Sequence, residues 1–425
     1  MTVQALQPRD QLVAIMNRIY QGGMTTLSGG NLSIKDGDGD RWITPAGMDK
    51  GRLTARDMVC IRADGRVIGP RSPSSEYPFH QAIYRARPDL KAIAHAHPPA
   101  LVAFSITRII PDTSLLPRIQ RICGPISYAP YALTGSEELG QAIAATFAAG
   151  YNVVMLENHG VVTAGESLFE AFQRLEALDF CARILIGAQT IGGNTLLNAK
   201  TNKLPDQPST QPAELGLSSR GYLKRELRLQ LADIARRAYS RQLMLSTSGD
   251  ISARFSESSF LITPAGKDRH HLATEDFVLV TTDGRHESGK KPGKSVGLHQ
   301  AIYARHANAQ AVIFAQPPDA TAFAITDASF DTRTIPECYI MLRDIPRLPS
   351  PDPETVSAVN FNRSPVVLIE NEGVLVTGKD LVQALDRLEV AEYSARSLIA
   401  TAAIGPLKPI GEADLHKLRE KFGLS

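Results

Sequence analysis

Lys91-Ala92-Ile93-Ala94-His95-Ala96-His97-Pro98 is the stretch from which the rest of the chain can be interpreted. Lysine aside, it is small and apolar with two imidazoles inserted, and it lies between a helix-like segment and a Pro-Pro break, which predicts a strand. Side chains at i and i+2 of a strand point to the same face, so His95 and His97 should lie side by side. Such a pair can bind a metal ion, although a His-x-His pair alone is as often part of a hydrogen-bonded core.

Length and composition narrow the class of protein. A chain of 425 residues is too long for one ordinary domain and suits two. The net charge of +2 with 21% charged residues predicts no nucleic-acid or acidic-membrane partner. The first twenty residues have the pattern of an amphipathic helix rather than a signal peptide, and no stretch approaches the roughly 20 apolar residues that span a bilayer. We therefore expect a cytoplasmic protein.

The cysteines carry no sign of a disulfide framework or a thiolate zinc site. They are far apart and form no Cys-x-x-Cys pair, which predicts reduced residues of the core; they are Cys60, Cys123, Cys181 and Cys338.

The sequence contains an internal repeat. Ile-Thr-Pro-Ala-Gly at 43–47 recurs at 262–266, and His-Gln-Ala-Ile-Tyr at 80–84 recurs at 299–303, both displaced by 219 residues (262 minus 43, 299 minus 80). Near the end of each half, Glu-Asn-His-Gly-Val at 157–161 matches Glu-Asn-Glu-Gly-Val at 370–374, a displacement of 213. Residues 192–216 between the copies have the composition of a linker. We therefore expect two domains, 1–200 and 201–425.

The first copy alternates predicted helices and strands. After an opening helix, strands are expected at 33–35, 41–44, 152–156 and 161–163, and helices from Ser74 or Ser75 to Arg87, from about 134 to 148 and from 167 to about 188. The Pro-rich segment between Pro98 and Tyr128 is expected to be irregular. This alternation predicts an α/β fold.

Two polar segments precede the His-x-His strand. The loop Ser28-Gly29-Gly30-Asn31-Leu32-Ser33 could cradle an anion with backbone amides and polar side chains, or be a plain tight turn. Glu76 falls at the start of a predicted helix, where a carboxylate is either a partner of the helix dipole or a functional group.

A third imidazole follows the apolar strand at 152–156. His159 lies in a polar cluster at the end of this strand, where α/β architectures place sites rather than cores. Three histidines that leave one coordination position open, with a carboxylate nearby, are typical of a catalytic zinc site rather than a structural one. Manganese or cobalt could replace zinc.

Residues 8–190 resemble the class II aldolase/adducin family. Ser-Gly-Gly-Asn-Leu-Ser, Ile-Thr-Pro-Ala-Gly, Pro-Ser-Ser-Glu, His-Ala-His-Pro and Asn-His-Gly occur in the order found in that family. The resemblance implies an α/β/α sandwich around a mixed, mainly antiparallel sheet in each of two tandem domains. It also implies a homo-oligomer with active sites between neighbours.

The resemblance also implies roles for individual residues. His95, His97 and His159 would bind the metal, and Glu76 would be the general acid/base. Gly30, Asn31, Ser74 and Ser75 match positions that hold the substrate phosphate in sugar-phosphate members. The implied activity is a metal-dependent carbon–carbon lyase that cleaves or forms an aldol bond in a small ketose or sugar phosphate through a metal-bound enediolate.

Two departures from the family leave the reaction open. Ala46 stands where aldolases of the family often have Ser or Thr, and residues 114–119 lack the Tyr that serves those enzymes as a second acid/base, unless Tyr128 or Tyr131 replaces it. Loss of CO2 from a β-keto sugar acid, or from its phosphate, needs no acid at that oxygen, so a decarboxylase is an alternative. A non-catalytic scaffold of the adducin kind is another.

The second copy has lost the predicted site. At the aligned positions Glu76 becomes Ser295, His95 becomes Phe314, His97 becomes Gln316 and His159 becomes Glu372. Its glycine loop, Ser248-Gly249-Asp250-Ile251-Ser252, is expected to be one residue shorter, with an aspartate that would repel phosphate. We expect this copy to complete the assembly, with two fused chains forming a four-domain ring in which Glu337 or Tyr339 faces the metal of the first copy.

Overall fold

The computed structural model describes residues 3–192, 210–213 and 221–424. They divide into two compact units. Unit 1 comprises Met1–Thr113 and Arg118–Arg183, and unit 2 comprises Ser114–Pro117 and Ile184–Ser425. Both units are mixed α/β structures, as the sequence predicts. The predicted boundary near Lys200 lies outside the described residues, so the limits of the two domains stay a prediction.

The elements of the first copy agree with the predicted alternation. Its helices are α1 Pro8–Gln21, α2 Tyr77–Ala86, α3 Pro99–Thr107, α4 Pro117–Cys123, α5 Glu137–Ala148 and α6 Leu168–Gly192. Its strands are β1 Asn31–Lys35, β2 Arg41–Ile43, β3 Val59–Ile61, β4 Val67–Ile68, β5 Ala92–Ala96, β6 Ile126–Ala129, β7 Val153–Leu156 and β8 Gly160–Gly165. The strand order is β4-β3-β2-β1-β5-β8-β7-β6, and only β6 and β7 pair in parallel.

Helices cover the first sheet on both faces. Ile93 and Val162 pack with apolar residues of α2 and α5 on one face. On the other face the Thr163 hydroxyl donates to the carbonyl of Ala171 in α6 at 2.7 Å. Because side chains alternate along a strand, His95 points to the same face as Ile93, toward α2. The rings of His95 and Phe79 accordingly lie 5.5 Å apart, edge to face.

The second copy repeats the plan. Its helices are α7 Gly221–Ser240, α8 Val296–Arg305, α9 Pro318–Ala324, α10 Pro336–Leu342, α11 Pro353–Ser357, α12 Leu381–Thr401 and α13 Glu412–Phe422. Its strands are β9 Gln211–Ala213, β10 Asp250–Ser256, β11 Ser259–Ile262, β12 Val278–Thr281, β13 Arg285–Glu287, β14 Ala311–Ala315, β15 Arg347–Leu348, β16 Val366–Ile369 and β17 Gly373–Gly378. The strand order is β15-β16-β17-β14-β10-β11-β12-β13-β9, with parallel pairs only at the two edges.

Two predictions about irregular segments are wrong. The Pro-rich stretch after His97 contains α3 and α4, each of which begins at a proline. A proline at the first helical position supplies a suitable φ and lacks only an N–H that would have no helical partner there, so proline marks these helix starts. Within the expected linker, β9 pairs in parallel with β13 at the edge of the second sheet.

The cysteines and the long helices agree with the sequence. All four cysteines are buried and reduced. In the described part of the chain, no helix is both long and apolar enough to cross a membrane.

Candidate metal centre and active site

Three imidazoles meet at the end of β5. The Nε2 atoms of His95 and His97 lie 3.0 Å apart, and one ligand atom from each of His95, His97 and His159 lies within 4.8 Å of the others. Ligand atoms of a tetrahedral zinc ion, with bonds of about 2.0–2.1 Å, are separated by roughly 3.3 Å. Among the described residues this is the only cluster of three such side chains. The residues present therefore fit a divalent ion.

Hydrogen bonding and burial prepare the imidazoles for a metal. Nδ1–H of His95 donates to the carbonyl of Val161 at 3.0 Å, which leaves the Nε2 lone pair directed at the cluster. Burial, followed by the positive charge of His95, lowers the pKa of His97 to about 3 and that of His159 to about 4. Both rings are neutral near pH 7, as a metal ligand must be.

Glycines let the backbone approach closely around these rings. A Cβ at Gly160 would lie 2.6 Å from the carbonyl oxygen of Ala96 and 2.7 Å from Cδ2 of His97. Gly30 has φ of +71°, and a Cβ there would lie 2.7 Å from the carbonyl oxygen of His95. Only glycine fits either position without displacing a ligand.

Glu76 lies directly beside the cluster. Its Oε2 is 3.3 Å from Nε2 of His95, and its Oε1 is 3.5 Å from Nε2 of His159. Burial alone raises the pKa of this carboxyl, but His95, His159 and the Asn31 amide outweigh burial and bring the pKa well below its usual range. Glu76 is 6% exposed, and its role as general acid/base stays a prediction.

The position of Glu76 differs from the prediction in one respect. Glu76 is the residue before α2, with φ −92° and ψ 4°, rather than a member of the first turn after a serine cap. This sparsely populated backbone region is one where active-site residues are often found. The hydroxyl of Ser74 accepts the N–H of Glu76 at 3.3 Å. The backbone is thereby held so that the carboxylate turns toward the histidines.

A buried chain of hydrogen bonds ends on Glu76. Nδ2 of Asn31 donates to Oε2 of Glu76 at 2.6 Å, and Oδ1 of Asn31 accepts from Nε2 of His80 at 2.5 Å. Nδ1 of His80 then accepts from Ser33 at 2.7 Å, and Ser33 lies 2.8 Å from the hydroxyl of Tyr84. Because the carboxylate can only accept, it sets the direction of every donor in the chain.

The predicted phosphate residues lie around the same carboxylate. Gly30 and Asn31 lead into β1, and Ser74 and Ser75 precede α2. Ser74 is buried, whereas Ser75 is exposed. Asn31 donates one amide hydrogen to Glu76 and carries a second. Their contact with a phosphate stays a prediction.

Lys50 was not predicted from the sequence. Its ammonium donates to the carbonyl of Pro45 at 2.9 Å and is 2% exposed. Burial lowers the pKa of Lys50 to about 8, although the charge of Glu76 acts in the opposite direction. Arg269 occupies the aligned position in unit 2 and donates to the carbonyl of Pro264, also at 2.9 Å. A signal existed, because a basic residue stands four positions after the Pro-Ala pair in both copies.

His80, Ser33 and Tyr84 were also not recognised as site residues. Unit 2 retains the same three groups, with Ser252 lying 2.6 Å from His299 and 2.8 Å from Tyr303. The repeated His-Gln-Ala-Ile-Tyr segment contains two of them and could have indicated their role. Since unit 2 keeps them without the metal ligands, they position the sheet and α2 rather than bind substrate.

The counterpart of the site in unit 2 is filled by internal contacts. Phe314 is fully buried in the core, and Gln316 accepts from Ser248 at 3.2 Å and donates to the carbonyl of Glu372 at 3.1 Å. Asp250 accepts from the N–H of Ser295 at 3.0 Å. Among the described residues no second cluster of three metal-ligating side chains occurs.

The prediction for the glycine loop of unit 2 is wrong. Asp250 pairs with Phe314 as Asn31 pairs with His95, so the register shows no deletion. Asp250 is also ion-paired with the buried Arg269 at 3.3 Å, which compensates its charge. This buried ion pair fills the space. Asp250 is therefore not a free carboxylate that would repel a phosphate.

Neither of the two tyrosines proposed as a second acid/base has an established place at the metal centre. The hydroxyl of Tyr128 donates to the carbonyl of Ser105 at 2.6 Å. The side chain of Tyr131 is 60% exposed, and its N–H donates to Glu157 at 3.1 Å.

The sequence matches one protein family over most of its length. The model of the class II aldolase and adducin N-terminal domain matches residues 10–186 and, a second time, residues 229–399. The 3-oxo-tetronate 4-phosphate decarboxylase of Escherichia coli K12 is 32% identical over 181 residues, which is 42% of this chain and 85% of that protein. The 5-deoxy-D-ribulose 1-phosphate aldolase of Bacillus thuringiensis is 34% identical over 193 residues, 44% of this chain and 89% of the relative. The L-fuculose phosphate aldolase of Methanocaldococcus jannaschii is 33% identical over 179 residues, which is 42% of this chain and 95% of that protein.

Proposed function

The chain belongs to the class II aldolase and adducin N-terminal domain family, and we propose that it is a divalent-metal-dependent carbon–carbon lyase acting on a small phosphorylated ketose. The observation that carries the proposal is the ionised, buried carboxylate of Glu76, which lies within 3.5 Å of His95 and His159 in the cluster of three imidazoles. A structural zinc site would need four protein ligands and no such carboxylate.

His95, His97 and His159 would hold the ion. Zinc suits three nitrogen ligands with an open position, and manganese or cobalt would be accepted by the same ligands. A divalent ion bound there supplies a Lewis acid that polarises a substrate carbonyl. The Val161 carbonyl supports this role by holding His95 in the tautomer that leaves Nε2 unprotonated.

Glu76 would move the proton at the carbon next to the carbonyl. In condensation the carboxylate takes this proton, the electron pair left on carbon attacks the carbonyl carbon of an aldehyde, and the aldehyde oxygen takes the proton from Glu76. In cleavage the carboxylate takes the hydroxyl proton as the carbon–carbon bond breaks and the aldehyde leaves, and it returns this proton to the carbon that keeps the electron pair. Asn31 keeps the carboxylate aimed through its 2.6 Å hydrogen bond.

The substrate class follows from the relatives and the loops. The names of all three relatives given above include a phosphorylated compound. Gly30, Asn31, Ser74 and Ser75 offer backbone N–H groups, an amide and hydroxyls close to Glu76, a combination suited to a phosphate. We assign the phosphate of the substrate to these residues.

A decarboxylase is the second candidate, favoured by the relative from Escherichia coli and by the lack of a tyrosine in residues 114–119. In this reaction the bond to the carboxylate breaks, CO2 leaves, and the carbon that retains the electron pair takes a proton that Glu76 relays from solvent. The two candidates share Glu76 and the metal ligands and differ in the fragment that departs.

The test is a product assay with the zinc-loaded full chain. L-fuculose 1-phosphate, 5-deoxy-D-ribulose 1-phosphate and 3-oxo-tetronate 4-phosphate are supplied in turn, and aldehyde and CO2 are measured. Release of aldehyde from a ketose phosphate supports the aldolase, and release of CO2 supports the second candidate. A chain that binds no metal and converts none of the three would instead be a scaffold, and the proposal would be wrong.

A further inference from the structure

Unit 2 contains a cavity of about 320 Å³ that is separate from the aligned position of the metal centre. The cavity lies where β17 leads into α12, next to the loop between α8 and β14. Its charged lining residues are all basic: Arg305, Lys379 and Arg387, with His306 beside them. Within the described part of the chain these two arginines and the lysine form no ion pair.

The aligned corner of unit 1 shows what has changed. Arg174 is the counterpart of Arg387, and the guanidinium of each donates to a strand carbonyl, at 2.6 Å for Ala164 and 2.7 Å for Thr377. In unit 1 the other end of the guanidinium pairs with Glu170 at 2.7 Å. In unit 2 the residue at that position is the neutral Gln383.

The side chain of Gln383 occupies the same place as that of Glu170. Oε1 of Gln383 accepts the N–H of Lys379 at 3.0 Å, as Oε2 of Glu170 accepts the N–H of Glu166 at 2.8 Å. The backbone and the arginine are therefore conserved in geometry, while the carboxylate that neutralised the arginine is gone.

Two further carboxylates have been replaced at the same corner. Glu166 corresponds to Lys379, and Asp89, which pairs with Arg87 at 2.6 Å, corresponds to Asn308. At these aligned positions unit 1 sets two arginines against three carboxylates, whereas unit 2 has Arg387, Lys379 and His306 with no carboxylate; Arg305 aligns with Ala86. Two aspartates have been gained nearby, since Asp380 and Asp386 stand where unit 1 has Ser167 and Gln173.

The remaining acidic residues nearby do not restore the balance. Asp380 caps α12 by accepting the N–H of Gln383 at 2.7 Å, and Asp386 is exposed on the same helix. Both raise the pKa of Arg387, but burial and the positive charge of Arg343 lower it more. Arg305, Lys379 and Arg387 stand against two carboxylates, which leaves a small excess of positive charge at the corner.

We propose that this cavity of unit 2 binds a small phosphorylated metabolite. Guanidinium groups and an ammonium suit a phosphate, because they donate charge-assisted hydrogen bonds. The amides of Asn308, Asn362 and Gln383 line the same cavity and suit the hydroxyls of a sugar or polyol. A volume of about 320 Å³ lies at the lower end of the range for small-molecule sites.

The experiment is calorimetric titration of the full chain, in EDTA, with inorganic phosphate and with glycerol 1-phosphate. The test variant is Lys379→Glu with Gln383→Glu, which restores the carboxylates that unit 1 carries at these positions and so should fold. We expect this variant to weaken the binding of glycerol 1-phosphate at least about 10-fold, with an unchanged melting temperature. Lys421→Glu is the control for a change of charge elsewhere in unit 2 and should bind like the parent.

Three results would overturn the proposal. Unchanged binding in the double variant would show that the cavity takes no anion. An equal loss in Lys421→Glu would show only nonspecific attraction. Equal affinity for inorganic phosphate and glycerol 1-phosphate would rule out recognition of the metabolite by the amides. Ser74→Ala, which alters the proposed catalytic phosphate residues, should leave this binding intact, so the outcome is independent of the proposed function.

Discussion

At the scale of single residues, the site depends on keeping one carboxylate charged and several imidazoles neutral in a buried place. Glu76 is ionised because polar partners outweigh its burial, whereas His80, His97 and His159 lose affinity for protons because burial is the largest influence on each. A charged carboxylate beside neutral imidazoles in the same buried place is typical of a site in which acid and base roles are separated.

Replacement of Glu76 by Gln should reduce turnover by roughly 100- to 10,000-fold, the usual contribution of a positioned acid/base. Metal content should not change, because the three imidazoles remain. Steady-state kinetics and elemental analysis of the same preparation check both points. Glu138→Gln, at an exposed position in α5, is the control. Near-normal turnover of a metal-loaded Glu76→Gln protein would show that the carboxylate interacts only with the start of the helix and is not the acid/base.

The stability of the metal-free protein should depend on pH through His80. Burial lowers the pKa of His80 to about 3, so it stays neutral in the folded protein while an unfolded chain takes up a proton below about pH 6.5. The free energy of unfolding should therefore fall as pH is lowered, by about 2 kcal/mol between pH 6.5 and 5 for this residue.

Urea unfolding of the parent and of His80→Gln over this pH range measures the effect. The variant should show a shallower dependence on pH, whatever its stability at pH 7. Parallel curves for the two proteins would mean that His80 does not carry the linkage.

At the scale of elements, turns and strand ends place the ligands. β5 ends immediately before His97, and β7 and β8 are joined by a turn in which Asn158 has φ of +54° and His159 follows. Asn371, the counterpart of Asn158, has φ of +60°. The turn is therefore retained in unit 2 although the ligand it carried has been replaced by Glu372.

Gly160→Ala should weaken metal binding without unfolding the protein. The added Cβ would meet the Ala96 carbonyl and the His97 ring below 3.0 Å, so the ligand must shift. We expect a loss of roughly 10- to 100-fold in metal affinity, as when a group that orients a ligand is disturbed. Competition with a chromogenic chelator measures it. Gly37→Ala, where a Cβ meets nothing within 4 Å, should match the parent, and an equal loss there would refute the steric argument.

At the scale of the whole molecule, each chain should bind one divalent ion. Three imidazoles meet only in unit 1 among the described residues, and Phe314 and Gln316 fill the aligned place in unit 2. Elemental analysis after zinc loading should give about one equivalent, which His97→Ala should abolish. Two equivalents per chain, or none, would contradict the assignment.

The second copy should be required for activity although it lacks metal ligands. Ser114–Pro117 of the first copy belongs to unit 2, where the side chain of Asn371 donates to the carbonyl of Leu115 at 2.9 Å. The segment aligned with Ser114–Pro117 is 333–336, which leads into α10 with Glu337 and Tyr339. We expect Glu337 or Tyr339 to face the metal of the first copy in a neighbouring chain.

We expect a pseudo-fourfold ring of two chains and four domains, with a mass about twice the 46.1 kDa of one chain. A fragment ending at Lys200 should lose activity even with metal present, and Glu337→Gln or Tyr339→Phe in the full chain should lower turnover with metal retained. Light scattering and kinetics test these points. A fragment as active as the full chain would show that the second copy does not complete the site.

The sequence by itself determined the features that depend on local geometry and on repetition. Alternation along a strand brings His95 and His97 together whatever the rest of the chain does, and the equal displacement of repeated segments predicts two domains. The displacements of 219 and 213 residues locate the counterparts of the four predicted site residues in unit 2. The family and the fold class, which the order of the sequence motifs predicted by resemblance, were confirmed.

Only the tertiary structure decided which polar groups meet across long separations. The hydrogen bonds that join Asn31 to Glu76 and to His80 span 45 and 49 residues, and the ion pair of Asp250 with Arg269 depends on the register of three strands. The basic cavity of unit 2 likewise combines residues from a loop, a strand end and a helix. Such contacts are set by sheet register and helix packing, which no local pattern encodes, because a shift of one residue would exchange the two faces of a strand.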